Sequence, residues 1–93
     1  MLLALDYDDT YTRDPEFWDA VIELAKQRGH SVICATMRYL HEGADVEAAL
    51  LGKVVNIIYT GRKAKHNAVH AAGYMPSVWV DDSPHWIHMD AAV

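Results

Sequence analysis

The residues of this chain best suited to chemistry stand just after short apolar runs. Asp6 and Asp8 follow Leu2-Leu3-Ala4-Leu5, Thr36 follows Val32-Ile33-Cys34-Ala35, Thr60 with a basic group nearby follows a run ending at Tyr59, and Asp81 and Asp82 follow Val78-Trp79-Val80. Paired carboxylates serve as nucleophile and as general acid or base, and they ligate hard cations. Gathered around one crevice, Asp6, Asp8, Asp81 and Asp82 would repel one another unless a cation lay among them or some were protonated. An all-oxygen donor set suits Mg²⁺ rather than zinc, so Mg²⁺ is the expected cofactor.

The elements that must position these residues follow from the hydrophobic pattern. Continuous apolar runs predict strands over 2–5, 32–35, 54–59 and 78–80, buried on both faces of a parallel sheet. Asp14-Pro15-Glu16 is a helix-start signal, and Phe17, Val21, Ile22, Leu24 and Ala25 recur at helical spacing until Arg28-Gly29. A second helix runs through Val46, Ala49 and Leu50 to Gly52, a third spans 64–72 before Gly73, and Pro84 opens a short helix or turn followed by a tail. This alternation predicts a three-layer, Rossmann-like α/β fold with a parallel sheet of about four strands joined by right-handed crossovers. If the chain winds through its first three strands and then crosses back, the order is 4-1-2-3. The switch crevice then lies between strands one and four, with Asp6 and Asp8 opposite Asp81 and Asp82.

Leu5-Asp6-Tyr7-Asp8-Asp9-Thr10 resembles the aspartate-x-aspartate-x-threonine signature of the haloacid dehalogenase superfamily. Thr36, a basic residue near Lys65, and Asp81-Asp82 resemble its other three motifs in the same order, and the likeness runs from residue 2 to residue 84. The resemblance implies a haloacid dehalogenase-like fold and an Mg²⁺-dependent phosphatase. In it Asp6 attacks phosphorus to give an aspartyl-phosphate, Asp8 protonates the leaving oxygen and later activates water, and Thr36 hydrogen-bonds a phosphoryl oxygen. It also implies that Mg²⁺ is held by the Asp6 carboxylate, the Asp8 backbone carbonyl and Asp81, with Asp82 binding directly or through water. The remaining role, a lysine that offsets charge on the phosphate and on Asp6, falls to Lys63 or Lys65. On a helix starting near Lys63, Lys65 shares the face of Ala68, Val69 and Ala72, the stripe expected to pack on the sheet, so Lys65 is preferred.

Two departures from that family bear on the substrate. Neither residues 7–15 nor the stretch after Tyr59 is long enough for a cap domain, so an open site is expected, with Tyr7, Tyr11 and Tyr39 helping to form its rim. The sequence also stops soon after the fourth motif, which would leave the fourth strand as an unprotected edge, open to pairing in a homodimer or higher homo-oligomer.

Composition bounds the rest. A chain of 93 residues, 52% hydrophobic, has room for one domain over 1–93. Its formal charge of −5 argues against a duplex nucleic-acid partner and for a small phosphorylated substrate, nucleotides among them. The single cysteine, Cys34, excludes an intrachain disulfide and suits a reducing cytoplasm. The apolar start lacks a basic leader, and no run is long enough to span a membrane.

His66 and His70 have a spacing that chelates zinc from one helical face, but the sequence offers no evident third ligand. Trp18 and Trp79 are expected in the core, with His85 and His88 packing beside Trp86 or rimming the pocket. A receiver domain fits less well, because its phosphorylated aspartate follows the third strand, where Tyr59-Thr60-Gly61 stands here. The competing class is a non-catalytic protein that binds and sequesters a phosphorylated metabolite or nucleotide signal. Binding alone needs neither the nucleophile Asp6 nor the acid Asp8, so their presence favours the enzyme.

Overall fold

The structure is a computed structural model and describes residues 1–92. Its strands are β1 (Leu2–Leu5), β2 (Ser31–Thr36), β3 (Ile57–Tyr59) and β4 (Val78–Val80), and its helices are α1 (Pro15–Gln27), α2 (Ala44–Leu50) and α3 (Lys65–Ala71). Single 3₁₀ turns lie at Tyr11–Arg13, Leu40–Glu42 and Pro84–Ile87. The sheet is parallel throughout, in the order β3-β2-β1-β4, which is 4-1-2-3 counted from the opposite edge.

Alternation along each strand sorts the core into two layers. Leu5, Val32 and Cys34 face α1 and α2, where they meet Ile22, Ala25, Val46 and Leu50. Ala4, Ile33, Ala35 and Ile58 face the other way, onto Val69 of α3. The helices separate because the direction of winding reverses: right-handed crossovers from β1 to β2 to β3 stack α1 and α2 on one face, and the return to β4 puts α3 on the other. Trp18 and Trp79, expected in the core, are half-buried and flank it, one on each face.

α1 starts as its sequence predicts. Pro15 occupies the first turn, and the Asp14 carboxylate accepts from the Phe17 backbone N–H at 3.2 Å. Its apolar face is narrower than expected, however, for Phe17 and Leu24 are 53% and 57% exposed. The packed stripe runs Trp18, Ile22, Ala25, and Phe17 and Leu24 lie about 100° round the helix from it.

β3 is shorter than the predicted 54–59. A turn at Gly52 (φ 84°) carries Lys53 and Val54 back toward Leu50, whose carbonyl accepts from both, and the Asn56 side chain accepts from the Ile57 N–H at 2.8 Å. α3 begins at Lys65 rather than near Lys63, because Ala64 is extended and its N–H donates instead to Asp90 Oδ1 at 2.7 Å.

Candidate active site

Register sets the site. Leu5 lies opposite Cys34 on one side and Val80 on the other, so Asp6 and Asp81 emerge side by side where β1 and β4 end. The Asp6 N–H donates to the Val80 carbonyl at 2.9 Å, so its backbone is still held in the ladder. The chain then curls tightly: Tyr11 N–H donates to Asp6 O, Thr12 N–H to Tyr7 O, and Asp9 takes a left-handed φ of 63°, a conformation aspartate tolerates better than most residues. The curl returns the Thr10 hydroxyl to within 2.9 Å of Asp6 Oδ2 and 3.1 Å of Asp82 Oδ1, while the same oxygen accepts from the Asp82 N–H at 3.1 Å.

Lys65 is the hub of the buried side of this cluster. From the first turn of α3, its Nζ donates to Asp6 Oδ1 at 2.7 Å and to Asp81 Oδ2 at 2.5 Å, and its side chain is 4% exposed. The competing lysine, Lys63, is exposed and lies 3.9 Å from Asp90. Asp81 Oδ1 also accepts from the Ser83 N–H at 3.0 Å. Asp6, Asp81 and Asp82 each offer an oxygen within 4.8 Å of the others, a spacing compatible with one shared cation.

Burial pushes the Asp6 carboxyl up to about 6, against the opposing pull of the Lys65 ammonium. Asp82 is held below the usual carboxylate range, first by its hydrogen-bond relation with Asp6 and then by Thr10, with partial burial opposing them. The two carboxyls are pushed in opposite directions, so as pH falls Asp6 takes up a proton before Asp82 does. Burial disfavours the Lys65 ammonium, but its bonds to Asp6 and Asp81 outweigh that and keep its value above an ordinary lysine's. One ammonium among three carboxylates leaves an excess of negative charge, and this oxygen-only donor set fits a hard divalent ion such as Mg²⁺.

The cluster forms one wall of an open cleft of about 450 Å³, which Thr36, Met37, Arg38, Glu42, Arg62 and Trp86 also line. Thr36 is 1% exposed, at the end of β2, and its Oγ1 accepts from the Arg38 N–H at 3.4 Å. Asp6, Thr36, Lys65, Asp81 and Asp82 therefore meet around one cleft.

Asp8 lines the same cleft but lies outside the acidic trio, a departure from the expected ring of four carboxylates. Both of its oxygens are taken by Arg38, Nε to Oδ2 at 3.0 Å and Nη2 to Oδ1 at 2.8 Å. Arg38 in turn is fixed by the Glu42 carbonyl and by Asp45, and its guanidinium lies 5.2 Å from the centre of the Tyr7 ring. Its hydrogen bonds to Asp8, and then to Asp45, raise it above the ordinary arginine value although burial opposes them.

Arg38 was not singled out from sequence. The available signal is its place two residues after Thr36, beyond a strand end that points into the crevice. Ser83 and the bridging role of Thr10 were likewise missed.

Tyr7 and Tyr11 do not form the expected rim. They are 6% and 3% exposed and stack with ring centroids 5.7 Å apart, because the tight curl after β1 rolls both onto the α1/α2 face of the sheet. The Tyr11 hydroxyl finds Asp19 Oδ1 at 2.7 Å, which makes its burial affordable. Tyr39, half-buried, does not line the cleft either; it lies behind Arg62, which does, with the guanidinium 5.1 Å from its ring centre.

No protein-family model, curated protein or solved structure matches the chain.

Proposed function

We propose that the chain is an Mg²⁺-dependent phosphomonoester hydrolase of the haloacid dehalogenase type, acting through an aspartyl-phosphate on Asp6. The observation that carries this reading is the buried Asp6 carboxylate held between Lys65 Nζ at 2.7 Å and Thr10 Oγ1 at 2.9 Å, beside Asp81 and Asp82. A plain structural ion pair would need one acid for Lys65, whereas the cluster holds three acids at the open end of a parallel sheet, where ligands bind. The acidic and basic lining argues the same way: Asp6, Asp8, Asp9, Glu42, Asp81 and Asp82 outnumber Arg38, Arg62 and Lys65, so a phosphate dianion would be repelled without a bound cation.

On this reading the residues divide the work by position. An Asp6 oxygen attacks phosphorus as the bond to the ester oxygen breaks, and Asp8 gives its proton to that leaving oxygen. Water then attacks the phosphorus of the aspartyl-phosphate, Asp8 takes the water's proton, and inorganic phosphate departs as the Asp6 carboxylate is restored. With a value of about 6, Asp6 is largely ionised and nucleophilic at neutral pH. Lys65 and the Thr36 hydroxyl face the charge of the transferring group. Asp6, Asp81 and Asp82, with the Asp8 carbonyl, would hold Mg²⁺, which when bound neutralises phosphoryl charge and orients the group. Before Asp8 can serve as acid, it must leave the two-pronged grip of Arg38. The substrate class is a small phosphorylated metabolite, nucleotides among them, admitted by the open cleft.

The grip of Arg38 on Asp8 also favours a second reading, a protein that binds a phosphorylated ligand without turning it over, since the acid is engaged. Phosphate release from an aryl phosphate and a nucleotide panel, with Mg²⁺ or EDTA, separates the two. Release that needs both Mg²⁺ and Asp6 supports the hydrolase. Metal-dependent ligand binding without release supports the sequestering protein.

A further inference from the structure

Among the described residues Trp86 is the one aromatic side chain that lines the acidic cleft, and apart from Met37 the rest of the lining is charged or polar. The indole is half-buried, so it keeps part of a flat apolar surface available in a cleft built otherwise for charge. Its backbone is tied to the acidic trio. Ser83 N–H donates to Asp81 Oδ1 at 3.0 Å and Trp86 N–H donates to the Ser83 carbonyl at 3.1 Å, which sets Trp86 one 3₁₀ turn, a rise of about 6 Å, beyond Ser83. Pro84 opens that turn and Ile87, 7% exposed, anchors it in the protein. Past the turn, Asp90 Oδ1 accepts from Ala64 N–H at 2.7 Å and Ala91 N–H donates to the Arg62 carbonyl at 2.8 Å. The exposed His85 packs its ring 4.3 Å from the indole.

We propose that Trp86 is the specificity-determining residue of the cleft, a platform on which the base of a nucleoside monophosphate stacks while its phosphate occupies the site of Asp6. This rests on the phosphate site of the hydrolase reading and narrows the substrate from phosphorylated metabolites at large to nucleotides. Asp8, beside which the ester oxygen leaves, is held by Arg38 on the β2 side of β1, whereas Trp86 follows β4 on the other side. Neighbouring strands stand about 4.8 Å apart, so a ring joined directly to the ester oxygen stays beside Asp8, and a ring carried on a sugar reaches across to Trp86. Carboxylates outnumber cations along the lining, so a neutral base suits the remainder of the ligand and a second phosphate does not. The volume, about 450 Å³, is that of a site for a ligand of this size.

The test compares adenosine 5′-monophosphate with ribose 5-phosphate, the same ester without the base, in Mg²⁺. Base stacking on an aromatic side chain corresponds to about 5–150-fold, so kcat/KM for the nucleotide should exceed that for the sugar phosphate by a factor in that range. In Trp86→Ala the ratio should fall to near one, and Trp86→Phe, which keeps an aromatic face, should retain most of it. Thermal midpoints of both variants verify that they fold. Equal kcat/KM for the two compounds in the wild type, or a ratio that survives in Trp86→Ala, would overturn the platform and leave the hydrolase standing. Release from neither compound sinks the hydrolase instead, and calorimetric binding of the same pair in Mg²⁺ then decides the platform: a nucleotide preference lost in Trp86→Ala supports it, and no preference overturns it.

Discussion

Asp6 is the residue on which burial and charge compete most directly, and Asp6→Asn reads that competition as a pH-dependent stability. The carboxyl moves from its ordinary 3.8 in the unfolded chain to about 6 in the metal-free fold, so between those values the native state binds more protons than the unfolded one. Stability carried by the protonated form is therefore fully present below about pH 4 and is lost as pH rises through about 6. A displacement of that size corresponds to on the order of 3 kcal/mol, and with Asp6 only 6% exposed little of it is screened by solvent. Urea unfolding in EDTA from about pH 4 to about pH 7 should show the wild type losing about that much relative to Asp6→Asn, whose amide cannot ionise. Mg²⁺ should restore the wild type at the upper end, by about 2.7 kcal/mol at a hundredfold excess over Kd, and should restore Asp6→Asn less. Parallel pH curves for the two proteins would refute the claim that burial outweighs the Lys65 ammonium at Asp6.

Other expectations follow from the same contacts. Lys65→Met removes the cation shared by Asp6 and Asp81 and should cost about 3–5 kcal/mol in metal-free denaturant unfolding, because buried carboxylates are left uncompensated. Gly43→Ala would place its Cβ 2.5 Å from the Tyr59 hydroxyl and should lower stability by about 1–3 kcal/mol on thermal melting, an effect relieved in the double variant with Tyr59→Ala. Cys34 has no exposed surface, and burial pushes its thiol up to about 12, so a chromogenic disulfide reagent should modify it only at the rate of unfolding.

Much of this arrangement is legible in the sequence because parallel strands announce themselves by their ends. Apolar runs stopping at Asp6, Thr36 and Asp81 put those residues on one sheet edge, and the stripe that Lys65 shares with Val69 sets Lys65, which is buried, apart from Lys63, which is exposed. The haloacid dehalogenase likeness rests on these same residues and is carried by no match to a known protein. What the sequence hid depends on long-range pairing or on local backbone hand. Arg38 engages Asp8 across thirty positions. The left-handed turn at Asp9 sends Tyr7 and Tyr11 into the core although acids surround them in sequence.

The most direct test of the hydrolase reading is chemical capture of its intermediate. The protein is mixed with an aryl phosphate and Mg²⁺, quenched in acid and reduced with borohydride, which converts an aspartyl-phosphate to homoserine, and the modified position is mapped by peptide mass spectrometry. Homoserine at position 6, dependent on both substrate and Mg²⁺ and absent at Asp8, is the expected result. Modification at another residue, or phosphate release that continues in Asp6→Asn, would contradict Asp6 as the nucleophile.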